Sequence, residues 1–177
     1  MPVITEFDNQ DWSIFPVAPA LGAPPARSID QQKWVLNLTG VVIPNFKSGV
    51  GGSQWGRETI DFFPDSRTPL THALLEADVP IPPRPAYDNR PYLEMEQWTL
   101  FATINAIYDA HKAVDAGFAV DRWRPIKGGI IDQTGAQNYN VFAGMSVDIA
   151  ARDVDAWVYR VGYSITLIGR IVIGFEN

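Results

Sequence analysis

The chain has 177 residues and a net charge of −6, with 46% apolar residues, 19% charged residues and no cysteine. That length fits one domain with a substantial core. The missing cysteine excludes a disulfide framework, a thiolate metal site and a cysteine nucleophile, and the scattered basic residues argue against a nucleic-acid partner, which needs clustered Lys and Arg.

The N-terminus, Met1-Pro2-Val3-Ile4-Thr5-Glu6, lacks the basic start and apolar run of a secretion signal. Thirteen of the fourteen prolines lie at or before Pro91, concentrated in Phe15–Pro25 and Pro80–Pro91. Proline fixes φ and removes a ladder donor, so both stretches are expected to run extended or looped. The first mixes proline with apolar residues, unlike a solvated tail. Residues 1–32 therefore read as an extended arm lying on its own domain or on a neighbour, ahead of a β-rich domain over 33–177.

Trp34–Ile43 reads as a strand stopped by Pro44-Asn45. Ser48–Ser53 reads as a glycine-rich loop and Thr59–Phe63 as a short strand. Residues 68–79 suit a short helix, with Thr68 as cap and Pro69 at its first position. Residues 94–116 fit two templates. Leu93, Leu100, Phe101, Ile104, Ile107, Tyr108 and His111 make a helical stripe, while Trp98, Leu100, Ala102, Ile104 and Ala106 also alternate. A start near Asp88 or Asn89 and a stop at Gly117 favour the helix.

The C-terminal third carries the strongest pattern. From Trp157 to Phe175 one set of alternate positions is apolar, while the other mixes polar and small residues, the signature of a half-buried strand. Unbroken, this run would span roughly 60 Å, so a bend is expected near Gly162 or Gly169. Tyr139–Ala151 alternates likewise, and Arg152-Asp153-Val154-Asp155 is a connector of hairpin length. The two runs are expected to pair as a long antiparallel hairpin. No apolar run suits a membrane helix. The fold expected is mainly β, an antiparallel sandwich or jelly roll with one or two helices.

Catalytic residue types are scarce. The two histidines, His72 and His111, offer no triad: Asp109 and His111 would point about 200° apart on a helix. The loop Gly49–Gly56 has Gln54 where the dinucleotide fingerprint needs glycine, and lacks the lysine of a triphosphate loop. Its Ser53 also misses the nucleophile elbow. Glu94 with Glu96, and Asp153 with Asp155, are near neighbours that suit a solvated face or a turn better than an acid and base pair on a glycan. Arg122, Arg124 and Lys127 beside Asp121 read as a solvated face. No cofactor or metal is expected, and the chain reads as a non-enzyme.

In overall character (acidic, aromatic-rich, cysteine-free, with an apolar proline arm before a β body) the chain resembles tailed-phage virion proteins such as capsid decoration (cement) proteins and small tail components. The resemblance implies a structural role within a virion, with the chain itself as homo-oligomer and other shell or tail subunits as partners. Candidate contact residues are Trp12, Phe15, Pro16, Leu21, Trp55, Tyr87 and Tyr92. The alternative is a β-sandwich module for carbohydrate or another small ligand, using Trp55, Trp123, Tyr87, Tyr92 and Tyr139 as stacking surfaces.

Overall fold

A computed structural model describes residues 3–51, 53–77, 91–109, 116–131 and 137–173. In chain order the strands are β1 (Val3–Ile4), β2 (Phe7–Pro16), β3 (Lys33–Val42), β4 (Phe46–Lys47) and β5 (Trp55–Phe62), followed by β6 (Pro91–Asp109), β7 (Gly117–Ile131), β8 (Gln137–Arg152) and β9 (Ala156–Ile173). Among the described residues there is one α-helix, α1 (Arg67–Glu76), between β5 and β6, and one 3-10 turn (Ile29–Gln31), before β3. The mainly β fold read from the sequence is present. Among the described residues no helix is long and apolar enough to cross a membrane.

The strands form two sheets. The first runs β1-β5-β8-β7; β1 joins β5 in parallel and the other pairs are antiparallel. In the second sheet β9 is central: β3 and then β4 pair along one side of it, and β6 along the other, while β2 flanks β3. The sheets bury a common core. Ile60, Phe62, Met145, Val147 and Ile149 point into it from the first sheet, and Leu36, Leu38, Val161, Ile165, Leu167 and Ile171 from the second. Burying one such aliphatic side chain contributes about 1.5–3 kcal/mol, and Leu70 and Ala73 of α1 extend the same core.

The expected hairpin between residues 139–151 and 157–175 does not form. Both strands exist, but β8 lies between β5 and β7 in one sheet, and β9 between β3 and β6 in the other. The connector is an arch from sheet to sheet, with Asp153 at φ 90° and the Ala156 N–H donating to the Asp153 carbonyl at 3.1 Å. Alternation requires only that each strand turn one face inward. Two strands facing each other across a core satisfy it as well as two lying side by side.

The expected helix over 94–116 is a strand through Asp109, antiparallel to β9. Its register slips between Met95 and Gln97, and twice between Ile104 and Ile107. Each bulge shifts which side chains face inward: Leu93 and Met95 before the first slip, then Trp98, Leu100, Ala102 and Ile104 after it. A strand with a phase break spreads its apolar residues at mixed spacings, and these mimic a helical stripe. The first slip lies opposite Gly169 of β9 and the later two just past Gly162, opposite Val161 to Val158, next to the two places where a bend was expected in that strand.

The helix begins one residue earlier than expected and ends sooner. Thr68 is inside it; the N-cap is Ser66, which makes no side-chain cap bond, and Asp65 just before it has a carboxylate that accepts from the Arg67 N–H at 2.9 Å and the Thr68 hydroxyl at 2.5 Å. That satisfies a donor of the first turn, which has no helical partner. Of residues 1–32, expected as an arm, Val3–Ile4 and Phe7–Pro16 are outer strands of the two sheets. The remaining extended stretch is the loop between β2 and β3.

Candidate interaction surface

Each sheet edge can be read for how it is guarded, since an unpaired strand edge invites another chain. The β2 edge carries Asp8 and Asp11 around a register slip, with Asn9 at φ 53°, and ends in Pro16. The β7 edge carries Asp121, Arg122, Arg124, Pro125 and Lys127. The short β1 leaves most of β5 as an edge, marked by Arg57 and Glu58. The β6 edge differs: from Gln97 to Tyr108 it contains no charge, no proline and no glycine.

Exposed apolar side chains, most of them aromatic, gather on that side. Phe101 is 54% exposed, Ile107 53%, Tyr108 51% and Trp123 37%. Trp123 comes from β7, and its indole N–H donates to the Leu100 carbonyl at 2.9 Å. Its ring meets Phe101 edge-on at 5.7 Å between centroids. Thus the second sheet's open strand is touched by one tryptophan of the first. Toward the end of β6, Tyr108 packs edge-on against Trp157 and Tyr159 of β9 at 6.5 and 6.2 Å, with Lys47 Nζ 5.5 Å from the Trp157 ring. Lys47 also pairs with Asp155 at 2.9 Å.

The outer face of the first sheet carries the basic group read as solvated. Within it, Arg122 and Arg124 are paired with Asp148. Asp148 accepts from Thr59 Oγ1 at 2.7 Å and from Arg122 Nε at 2.9 Å, with Arg124 at 3.5 Å, while Arg57 pairs with Asp121. The Thr59 hydrogen bond, followed by Arg122 and the charge of Arg124, holds the Asp148 carboxyl below the usual aspartate range. Arg57, Thr59, Asp121, Arg122 and Asp148 line an open groove of about 520 Å³. Among the described residues no three His, Asp or Glu side chains converge as a metal ion would require.

A second cavity, of about 330 Å³, lies where α1 crosses the end of β2 and β3, lined by Ile14, Pro16, Trp34, His72, Ala73 and Glu76 among others. His72 stacks on Trp12 with centroids 5.3 Å apart. The indole N–H of Trp34 has no hydrogen-bond partner among the described residues and is sealed from solvent. It is not offered to a ligand in this cleft, whose lining also includes Gln32, His72 and Glu76. Tyr163 is buried in the same way, and burial pushes its phenol above the ordinary value.

The structure scatters the contact residues expected from sequence. Pro16 lines the α1 cleft and Trp12 stacks on His72 beside it, Phe15 is exposed on the opposite face of β2, and Leu21 stands at the tip of the β2–β3 loop. Trp55 lies at the far end of β5, 37% exposed, against Gly117 and with Arg152 5.4 Å from its ring. Tyr87, His111 and the side chains of Tyr92 and Tyr139 lie outside the described residues. Sequence reasoning missed Phe101, Ile107, Tyr108 and Trp157 as surface residues. The usable signal was the twelve-residue stretch from Gln97 to Tyr108 without a charge, which is unusual for an outer strand.

No family model matches the chain, and no curated protein or solved structure matches it either.

Proposed function

We propose that the chain is a non-enzymatic assembly subunit that joins copies of itself, and other subunits of a larger particle, through the β6 side of its sandwich. The observation that carries this reading is the uncharged β6 strand with Phe101, Ile107, Tyr108 and Trp123 exposed along it. Contiguous exposed apolar groups mark contact sites, and aromatic rings are enriched at the centres of interfaces. The other edges bear charges or prolines, devices that keep strands apart, whereas β6 from Gln97 to Tyr108 is interrupted by its register slips alone. The chain's likeness in character to tailed-phage shell and tail proteins supports a virion as the setting.

The test places lysines on the surface in question. Phe101→Lys with Ile107→Lys changes two side chains that are more than half exposed, so the fold is expected to hold. The variant's particle mass in light scattering should fall below that of the unaltered chain at equal concentration. An unchanged mass would remove β6 from the assembly.

A second reading, a carbohydrate-binding module, is favoured by the Tyr108–Trp157–Tyr159 group with Lys47 beside it. Rings with polar rims suit sugar faces. The rings meet at 45–75°, so they offer a broken surface instead of a flat platform. The assembly reading is therefore preferred.

A further inference from the structure

The loop between β2 and β3 holds a second contact element. Its tip is a tight turn in which the Ala23 N–H donates to the Ala20 carbonyl at 2.9 Å, with Gly22 at φ 82°. A positive φ at the third position is what a type II turn requires, and glycine supplies it without strain. The turn thrusts Leu21 wholly into solvent, at 107% relative exposure. Pro19, Pro24 and Pro25 stiffen both limbs. At the base, the Gln32 side-chain amide donates to the Val17 carbonyl at 3.0 Å and the Lys33 carbonyl at 2.7 Å, tying the limbs together. An ordered apolar knob of this kind loses little freedom on docking.

The α1 cleft of about 330 Å³ opens at the foot of the same loop, sharing Pro16 and Gln32 with it. The loop and the cleft each offer a charge of opposite sign. Over 17–32 the loop's charged residues are Arg27 and Asp30, and Arg27 forms no ion pair among the described residues. The cleft rim carries Glu76, whose side chain is 70% exposed, with His72 Nε2 at 3.8 Å.

We propose that Leu21 of one copy seats in the α1 cleft of a second copy, with Arg27 of the knob paired to Glu76 of the cleft. Because knob and cleft adjoin, a two-fold axis beside them lets both copies give and receive, which closes the contact at a dimer. This rests on the assembly reading but uses a surface separate from β6.

The test is a charge exchange read by sedimentation, in the unaltered chain and in the Phe101→Lys, Ile107→Lys variant. Arg27→Glu and Glu76→Arg should each raise the dimer dissociation constant about tenfold, and the two together should restore it. Leu21→Ser should weaken the dimer without moving the urea midpoint, since the side chain touches nothing in its own chain. Singles that leave association unchanged, or a double variant with no rescue, overturn the contact. A shift in urea midpoint without a shift in association assigns the pair within one chain and overturns it too. If β6 substitution lowers the mass while the exchange does nothing, the assembly reading stands and this contact falls. If β6 substitution also does nothing, the assembly reading itself falls.

Discussion

Asp148 shows how a single side chain organises the outer face of the first sheet. It is 19% exposed, takes donors from β5 and β7, and so ties three strands with one carboxylate. Hydrogen bonds to a charged group contribute about 1.5–3 kcal/mol each when well made, and partial exposure of the arginines reduces that. Asp148→Asn should therefore cost about 1–2 kcal/mol of stability at neutral pH. The pH dependence has a definite sign. Because the folded carboxyl titrates below its ordinary value of 3.8, its contribution is complete above that value and is lost as pH falls through the depressed one. Urea midpoints of the two proteins should thus differ at pH 7 and converge in acid. A gap that persisted unchanged in acid would mean that Asp148 acts by packing and not by charge.

At the scale of elements, β6 and β9 hold the lesson about legibility. The alternation of Tyr163, Ile165, Leu167 and Ile171 was plain in the sequence because β9 is central and keeps its phase over that stretch. The β6 pattern was blurred by its bulges, so a helix fitted the same residues. Strands β2 and β7 carried little signal at all: as edges they hold Asp8, Asn9 and Asp11, or Arg122, Arg124 and Lys127, where a central strand would hold valine or isoleucine. The partner of each strand was not legible, since period-2 alternation fixes a face and not a neighbour.

The bulges make a prediction about the glycines beside them. A Cβ on Gly169 would run into the backbone carbonyl of Glu94, whereas one on Gly162 would meet only the side-chain amide of Asn105. Backbone in a paired strand yields poorly and a side chain can turn away. Gly169→Ala should cost about 2–3 kcal/mol, and Gly162→Ala distinctly less, by thermal or urea unfolding. Equal costs would show that the β6 bulge adapts as readily as a side chain.

For the whole molecule, the candidate surface was only half visible in advance. Pro16 and Leu21 were marked by the apolar proline stretch and Trp12 as part of the expected arm, and they do lie around the loop and cleft at one end. The β6 side was not marked, because reading its rings as exposed required knowing that β6 is an outer strand. An acidic chain of net charge −6 repels its own copies over most of its surface. Surfaces that bring copies together should then be the uncharged ones, and β6 with the Leu21 loop are the two clearest among the described residues.

The measurement that bears most directly on this account is the solution mass of the unaltered chain by light scattering over a dilution series. The account predicts at least twice the 19.7 kDa of one chain at the upper end of the series, falling toward one chain on dilution. A mass of one chain at every concentration would contradict self-assembly through either surface.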